Sequence, residues 1–261
     1  MTIKDTVHYF SDLSKEKVEN LHKNPVGFLI SSLMAGAYVG IGILLIFSVG
    51  QVVDPSIRNL VMGASFGIAL TLIVFAGADL FTGHTMYASI GRLTKACSTI
   101  DAIKIWVTTW AGNLIGSLGL AILFIIGGGG VVLQEAGDGL LHLIAYKKMS
   151  GTAAELIARG MLCNWLVCLA IWGAARTKSD TAKCIIIFWC LYAFIASGFE
   201  HSVANMTVFS LALLSEHADK INFFGAFHNL FWVTIGNTVS GVIFMGGGYW
   251  FAAGKPSYRD F

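Results

Sequence analysis

His201 stands between Glu200 and Ser202, deep in an apolar run from about Ala182 to Leu214. An ionisable side chain at such a depth is costly in hydrocarbon and usually lines a pathway. With an ordinary pKa of about 6.5, an imidazole can donate or accept a hydrogen bond, or carry a proton, near neutral pH. The plainer reading is a neutral ring bonded to a neighbouring carbonyl. A second polar island, Ala78-Asp79-Leu80-Phe81-Thr82-Gly83-His84-Thr85, interrupts the apolar run from about Leu60 to Ile90. Asp79 and Glu200 could relay protons or anchor broken backbone. Lys148 could pair with Glu200, attract an anion, or stand solvated. Asn164, Asn205 and Asn237 also lie in apolar runs, where they could serve a solute or bond helix to helix.

Such groups need elements that hold them in place. The chain has 261 residues, 56% hydrophobic and only 12% charged. Soluble domains carry about 25% charged residues, so half that share cannot cover a water-facing surface of this size. A helix crosses hydrocarbon with about 20 apolar residues. Six stretches qualify, near Val26–Gly50, Leu60–Ile90, Ala102–Gly127, Thr152–Ala175, Ala182–Leu214 and Phe224–Ala253. The second and fifth are too long for one plain crossing and carry the two polar islands. Broken backbone at membrane depth survives only inside protein or against a wet cavity, so both are expected to be interrupted helices facing a pathway. The expected division is an amphipathic segment at 1–25, lying on the membrane surface, a membrane domain at 26–253 and a tail at 254–261.

Loop charges orient the chain. Lys4, Lys15, Lys17, Lys23, Arg92, Lys95, Lys104, Arg176, Lys178, Lys183, Lys255 and Arg259 flank one set of ends. The alternate loops hold Arg58, Lys147, Lys148 and Lys220. The positive-inside rule then puts both termini in the cytoplasm. The two halves also echo each other. Trp110-Ala111-Gly112-Asn113 answers to Thr234-Ile235-Gly236-Asn237, Asp79 to Glu200, and Ala37-Tyr38-Val39 to Asn164-Trp165-Leu166, at a nearly constant offset. Three crossings per half make the halves point in opposite directions. That predicts an inverted repeat with its site near the midplane. Gly36/Gly40, Gly63/Gly67 and Gly112/Gly116 are spaced for close helix packing.

Several classes are excluded or disfavoured. No basic patch with interleaved aromatics suggests nucleic acid. No phosphate loop, nucleophile elbow, zinc-protease or dinucleotide motif appears, and the seven histidines form no i, i+4 pair, so neither a cofactor, a metal nor an enzyme is expected. The five cysteines contain no C-x-x-C and read as inert thiols.

The same residues resemble the formate/nitrite transporter family. The resemblance runs from Asn24 to Phe251. It rests on Asn24-Pro25-Val26-Gly27-Phe28, Ala78-Asp79-Leu80-Phe81-Thr82, Asn164-Trp165-Leu166-Val167-Cys168-Leu169-Ala170, Ala196 to Met206, and Gly236-Asn237. It implies an all-α membrane protein of aquaporin-like fold, a homopentamer in the bacterial inner membrane with one pore per protomer. It implies His201 as the pore histidine, Thr82 as its partner, and Asn164 and Asn237 as pore-lining amides. Phe66, Leu70, Leu80, Phe81, Val167 and Phe194 match apolar constrictions on either side of the histidine. Lys148, Glu200, Asn164 and Asn205 match the outer polar network. Gly83-His84-Thr85 resembles the nitrite branch rather than the formate channels; His84 could cap the broken helix or sense cytoplasmic pH.

The function so implied is passage of nitrite, or a similar small anion such as formate or hydrosulfide. Protons are a possible second cargo. A bare charge in an apolar constriction costs many kcal/mol. A histidine that hydrogen-bonds or protonates the anion would lower that cost. A water or glycerol pore fits the fold less well, because apolar rings offer glycerol no continuous hydrogen-bond partners.

Overall fold

The computed structural model describes residues 1–135 and 137–260, and among these every regular element is a helix. Helix α1 (Ile3–Lys23) opens with a capping box, in which Thr2 accepts from the Asp5 amide and Asp5 from the Thr2 amide. Asn24 closes it and caps α2 (Pro25–Val52), whose first residue is a proline that has no donor to waste. Then follow α3 (Arg58–Ser65), α4 (Gly67–Ala76), α5 (Phe81–Leu93), α6 (Thr99–Ile126), α7 (Leu140–Met149), α8 (Ala153–Ala175), α9 (Asp180–Ala196), α10 (Ser202–Leu214) and α11 (Phe223–Val239). A π-helical stretch, Ser240–Gly247, carries α11 on into α12 (Gly248–Ala252).

Five stretches are long and apolar enough to cross a bilayer: α2, α3–α4, α6, α8, and α11 through α12. The run read as a fifth crossing divides into α9 and α10, of 17 and 13 residues. Neither half reaches that length alone, because residues 197–201 leave the helix between them. The run near Leu60–Ile90 divides twice. Besides the expected break before α5, the chain kinks at Phe66, whose amide bonds back to Met62 and Gly63.

Close backbone approach holds the bundle. On the α2–α6 contact a methyl at Gly36 would strike the Asn113 carbonyl, and one at Gly116 the Leu33 carbonyl. On the α8–α11 contact, Gly236 is equally tight against the Ile157 carbonyl. Between lipid-bathed helices, such contact supplies the van der Waals attraction that hydrophobicity cannot. Gly116→Ala is therefore expected to push α2 and α6 apart and lower stability by about 1–3 kcal/mol, the usual cost of overpacking. Thermal melting in detergent measures it; an unchanged midpoint would show the contact to be slack.

Helix α1 packs against the bundle. Phe10 is sandwiched between Tyr87 and Trp172, at ring distances of 5.3 and 5.5 Å, and Val7 is fully buried. The chain's far end closes over the same region: the Tyr258 amide donates to the Thr94 carbonyl at 2.7 Å, and its hydroxyl to Asp12 at 3.0 Å. Both termini therefore meet at one end of the bundle.

Candidate functional site

Two helix breaks meet at mid-bundle, and they are built alike. Each opens on a glycine in the left-handed region, Gly77 (φ +72°) and Gly198 (φ +70°), a conformation glycine adopts without penalty. The next amide turns back, Ala78 to the Ile73 carbonyl and Phe199 to the Phe194 carbonyl. Asp79 N–H then donates to the Ser31 carbonyl, and Glu200 N–H to the Arg159 carbonyl. An asparagine completes each clamp. Asn113 Oδ1 accepts the Phe81 amide at 2.9 Å, while its Nδ2 donates to the carbonyls of Ser32 (2.7 Å) and Asp79 (3.0 Å). Asn237 Oδ1 accepts the Ser202 amide at 2.9 Å, while its Nδ2 donates to the carbonyls of Gly160 (2.8 Å) and Glu200 (3.0 Å). Backbone that has left a helix far from water must find partners inside the protein. These two amides provide them.

The clamps aim the N-termini of α5 and α10 at the centre. His201 caps α10: its Nδ1 accepts the Ala204 amide at 3.1 Å. A nitrogen that accepts cannot also carry the proton, so this bond assigns the hydrogen to Nε2. Nε2–H then donates to Thr82 Oγ1, 3.2 Å away at the start of α5, leaving the threonine hydroxyl hydrogen for a further acceptor. The ring stacks on Phe194, with centroids 5.9 Å apart and planes 17° from parallel. Phe66 meets Phe194 edge-on at 5.6 Å. Asn164 is spent on the scaffold, donating to Thr85 Oγ1 (3.0 Å) and the Asn237 carbonyl (2.6 Å).

Three cavities follow one another past this pair. A vestibule of about 220 Å³ under α7 reaches down to Phe194 and His201. Those two residues also bound a chamber of about 10 Å³, ringed by Val39, Phe66, Leu70, Leu80 and Val167, enough for roughly one water. Leu70, Ile73 and Leu80 in turn separate the chamber from a second vestibule, of about 280 Å³, beneath α1. The waist is thus two apolar collars around a chamber one molecule wide, with an imidazole in its wall.

Each vestibule carries a charged cluster against its loop. In the first, Lys148 Nζ lies 2.9 Å from Glu200 Oε2, which also accepts Asn205 Nδ2 at 2.6 Å; Asn205 donates on to Asn229. In the second, Asp79 Oδ1 is held by Lys17 Nζ at 2.6 Å and lies 3.1 Å from His84 Nε2. Neither carboxylate stands bare toward a lumen. His84 is thereby committed to Asp79, and its carbonyl accepts the Trp106 indole N–H.

Of the thirteen residues singled out from sequence, the structure gathers His201, Thr82, Phe66, Leu70, Leu80, Val167 and Phe194 at the waist, with Lys148, Glu200 and Asn205 in one cluster above it. Asn164 and Asn237 sit behind the lining with every amide hydrogen bond turned to scaffold. Phe81 is buried yet does not line the chamber. Asn113, Lys17, Ile73 and Val39 belong to the site without having been singled out. The repeat offset that pairs Asn113 with Asn237 was the available signal for the first of them.

Apolar helices around a waisted pathway define a multi-pass membrane protein that passes something small through its own protomer. The chain belongs to the formate/nitrite transporter family, whose model matches residues 7–251. It is 54% identical over 235 residues to the nitrite transporter NirC of Salmonella typhimurium, covering 89% of this chain and 85% of that protein. A solved structure described as an FNT family ion channel superposes with a TM-score of 0.92 at 51% identity, covering 95% of this chain and 98% of that one. A pentameric formate channel with formate bound superposes at 0.74 and 28% identity, covering 87% and 96%.

Proposed function

We propose that this chain conducts nitrite, or a closely similar small monovalent anion, through each protomer of a homopentamer in the bacterial inner membrane. The observation that carries the reading is His201, an Nε2–H donor set in the apolar waist between two vestibules. Six crossings account for the helices: α2, α3–α5, α6, α8, α9–α10 and α11–α12, with the second and fifth interrupted. The doubled asparagine clamp supports two inverted three-helix repeats, since one hydrogen-bond pattern holds both loops. The meeting of both termini at the end rich in lysine and arginine supports a cytoplasmic position for them. The vestibule beneath α1 is then the inner one and that beneath α7 the outer.

The mechanism is one of replacing water. An anion in the outer vestibule meets Lys148 and the field of two helix N-termini pointing at the waist. Entering the chamber, it must shed its hydration shell, which would cost many kcal/mol in a purely apolar ring. His201 Nε2–H and the Thr82 hydroxyl stand ready to take the place of the lost waters. The Nδ1 cap gives the ring the donor's role. Passing a proton to the anion through Nε2 would require Nδ1 to give up the Ala204 amide and take a proton in its place. Phe66, Phe194, Leu70 and Leu80 keep bulk water out, so the anion is solvated only by these donors. Transport of this kind makes and breaks no covalent bond, and an enzymatic role is not proposed.

Nitrite is favoured over formate because the 54% identical relative is a nitrite transporter, whereas the structure with formate bound is 28% identical. Purified protein in liposomes should pass nitrite saturably, faster than formate or hydrosulfide offered at equal concentration. Passage of glycerol with exclusion of all three anions would overturn the reading.

A further inference from the structure

The outer vestibule holds three cations, and they differ in what they have left to bind. Lys148 is engaged by Glu200. Lys147 is exposed at the end of α7. Arg159, in the second turn of α8, is half-buried and lines the same cavity. Its backbone carbonyl accepts the Glu200 amide at 3.3 Å, so its side chain leaves the wall directly beside the loop that carries His201. Among the described residues its guanidinium makes no hydrogen bond and no ion pair. Glu155, one turn earlier on the helix, shares a field with Arg159 without a contact between them, and its Oε2 is held by the helix cap, accepting from the Thr152 amide and hydroxyl at 2.9 Å each. Glu200 is taken up by Lys148 and Asn205. Gly198, on the same wall, leaves open space where a side chain would otherwise stand.

A guanidinium offers five donors in a flat fork that fits two oxygens borne by one atom. An ammonium is a point charge and fits any anion alike. We propose that Arg159 is a reception site for planar two-oxygen anions, the class of nitrite and formate, and sorts them from single-atom anions before they reach His201. The proposal rests on the anion-conduction reading.

Its test is flux into liposomes with anions offered on the α7 side, for wild type, Arg159→Gln and Arg159→Lys. Nitrite and formate serve as two-oxygen probes and hydrosulfide as the single-atom probe. Arg159→Gln should raise the half-saturating nitrite concentration about tenfold, the loss of roughly one charge-assisted hydrogen bond, with the maximal flux kept. Arg159→Lys should restore hydrosulfide entry but not nitrite or formate entry. Unchanged half-saturation in both variants overturns the site. Full recovery of all three anions by lysine overturns the fork and leaves only charge. If the glutamine variant fails to assemble, the nitrite-to-hydrosulfide ratio of Arg159→Lys decides by itself, and an unchanged ratio overturns the proposal. Wild-type vesicles that pass no anion would defeat the conduction reading instead.

Discussion

Asn237→Ala is expected to abolish nitrite flux and to lower stability by about 3–5 kcal/mol, the range in which buried polar groups left without partners fall. The change removes the acceptor of the Ser202 amide and the donors to the Glu200 and Gly160 carbonyls, and so unties the loop that carries His201 from α8. The Ser202 amide and the Glu200 carbonyl would then be orphaned where no water reaches them. Asn237→Asp is expected to rescue little, since it keeps the acceptor for Ser202 but loses both donors and buries a charge. Asn113→Ala should match the loss closely, because its three bonds repeat those of Asn237. Melting in detergent and flux in liposomes measure both. A mild effect at Asn113 beside a severe one at Asn237 would defeat the equivalence of the two loops. A mild effect at both would mean that the breaks hold themselves.

His201 separates into two jobs that two substitutions can pull apart. Asparagine places an acceptor near Nδ1 and can keep the α10 cap, but its amide falls short of Thr82. Glutamine reaches as far as Nε2 with an N–H donor, but gives up the cap. His201→Gln is therefore expected to keep nitrite flux within about tenfold of wild type while melting lower by about 1 kcal/mol, the usual worth of a cap. His201→Asn should melt near wild type and lose flux roughly a hundredfold, as a missing donor to a charged acceptor implies. Neither variant titrates near neutral pH, so any histidine-linked pH dependence of flux should vanish in both. If glutamine and asparagine fail alike, the ring must do something no amide can, and proton transfer returns as the mechanism.

Lys148, proposed as the attractor of the anion, is not a free cation. Its charge is shared with Glu200 in a part-buried pair, and a pair broken by removing one partner costs more than a pair never formed. The same holds for Lys17 and Asp79 beneath α1, which ties the amino-terminal helix to the loop before α5.

Much of this protein was legible in the residues alone. Composition required lipid. Run lengths and the interrupting polar islands, 78–85 and 197–205, placed one break in each long run, and the helices are broken at residues 77–80 and 197–201, because an apolar helix cannot carry a carboxylate and a histidine at mid-depth without a reason. The repeat of Gly112-Asn113 in Gly236-Asn237 hinted that the halves share a plan. Tertiary structure alone decided which polar groups face a lumen and which serve the scaffold. Asn164, Asn205 and Asn237 look alike in sequence, yet Asn164 and Asn237 bind backbone at the waist while Asn205 holds Glu200. It likewise decided that α1 is packed on Tyr87 and Trp172, that Phe66 kinks the second run, and which ring nitrogen of His201 bears the hydrogen. The physical reason is that an amide or an imidazole has the same donors wherever it lies in the chain. Its role is set by the partner that a distant helix brings within 3 Å, and spacing along one helix carries no record of that partner.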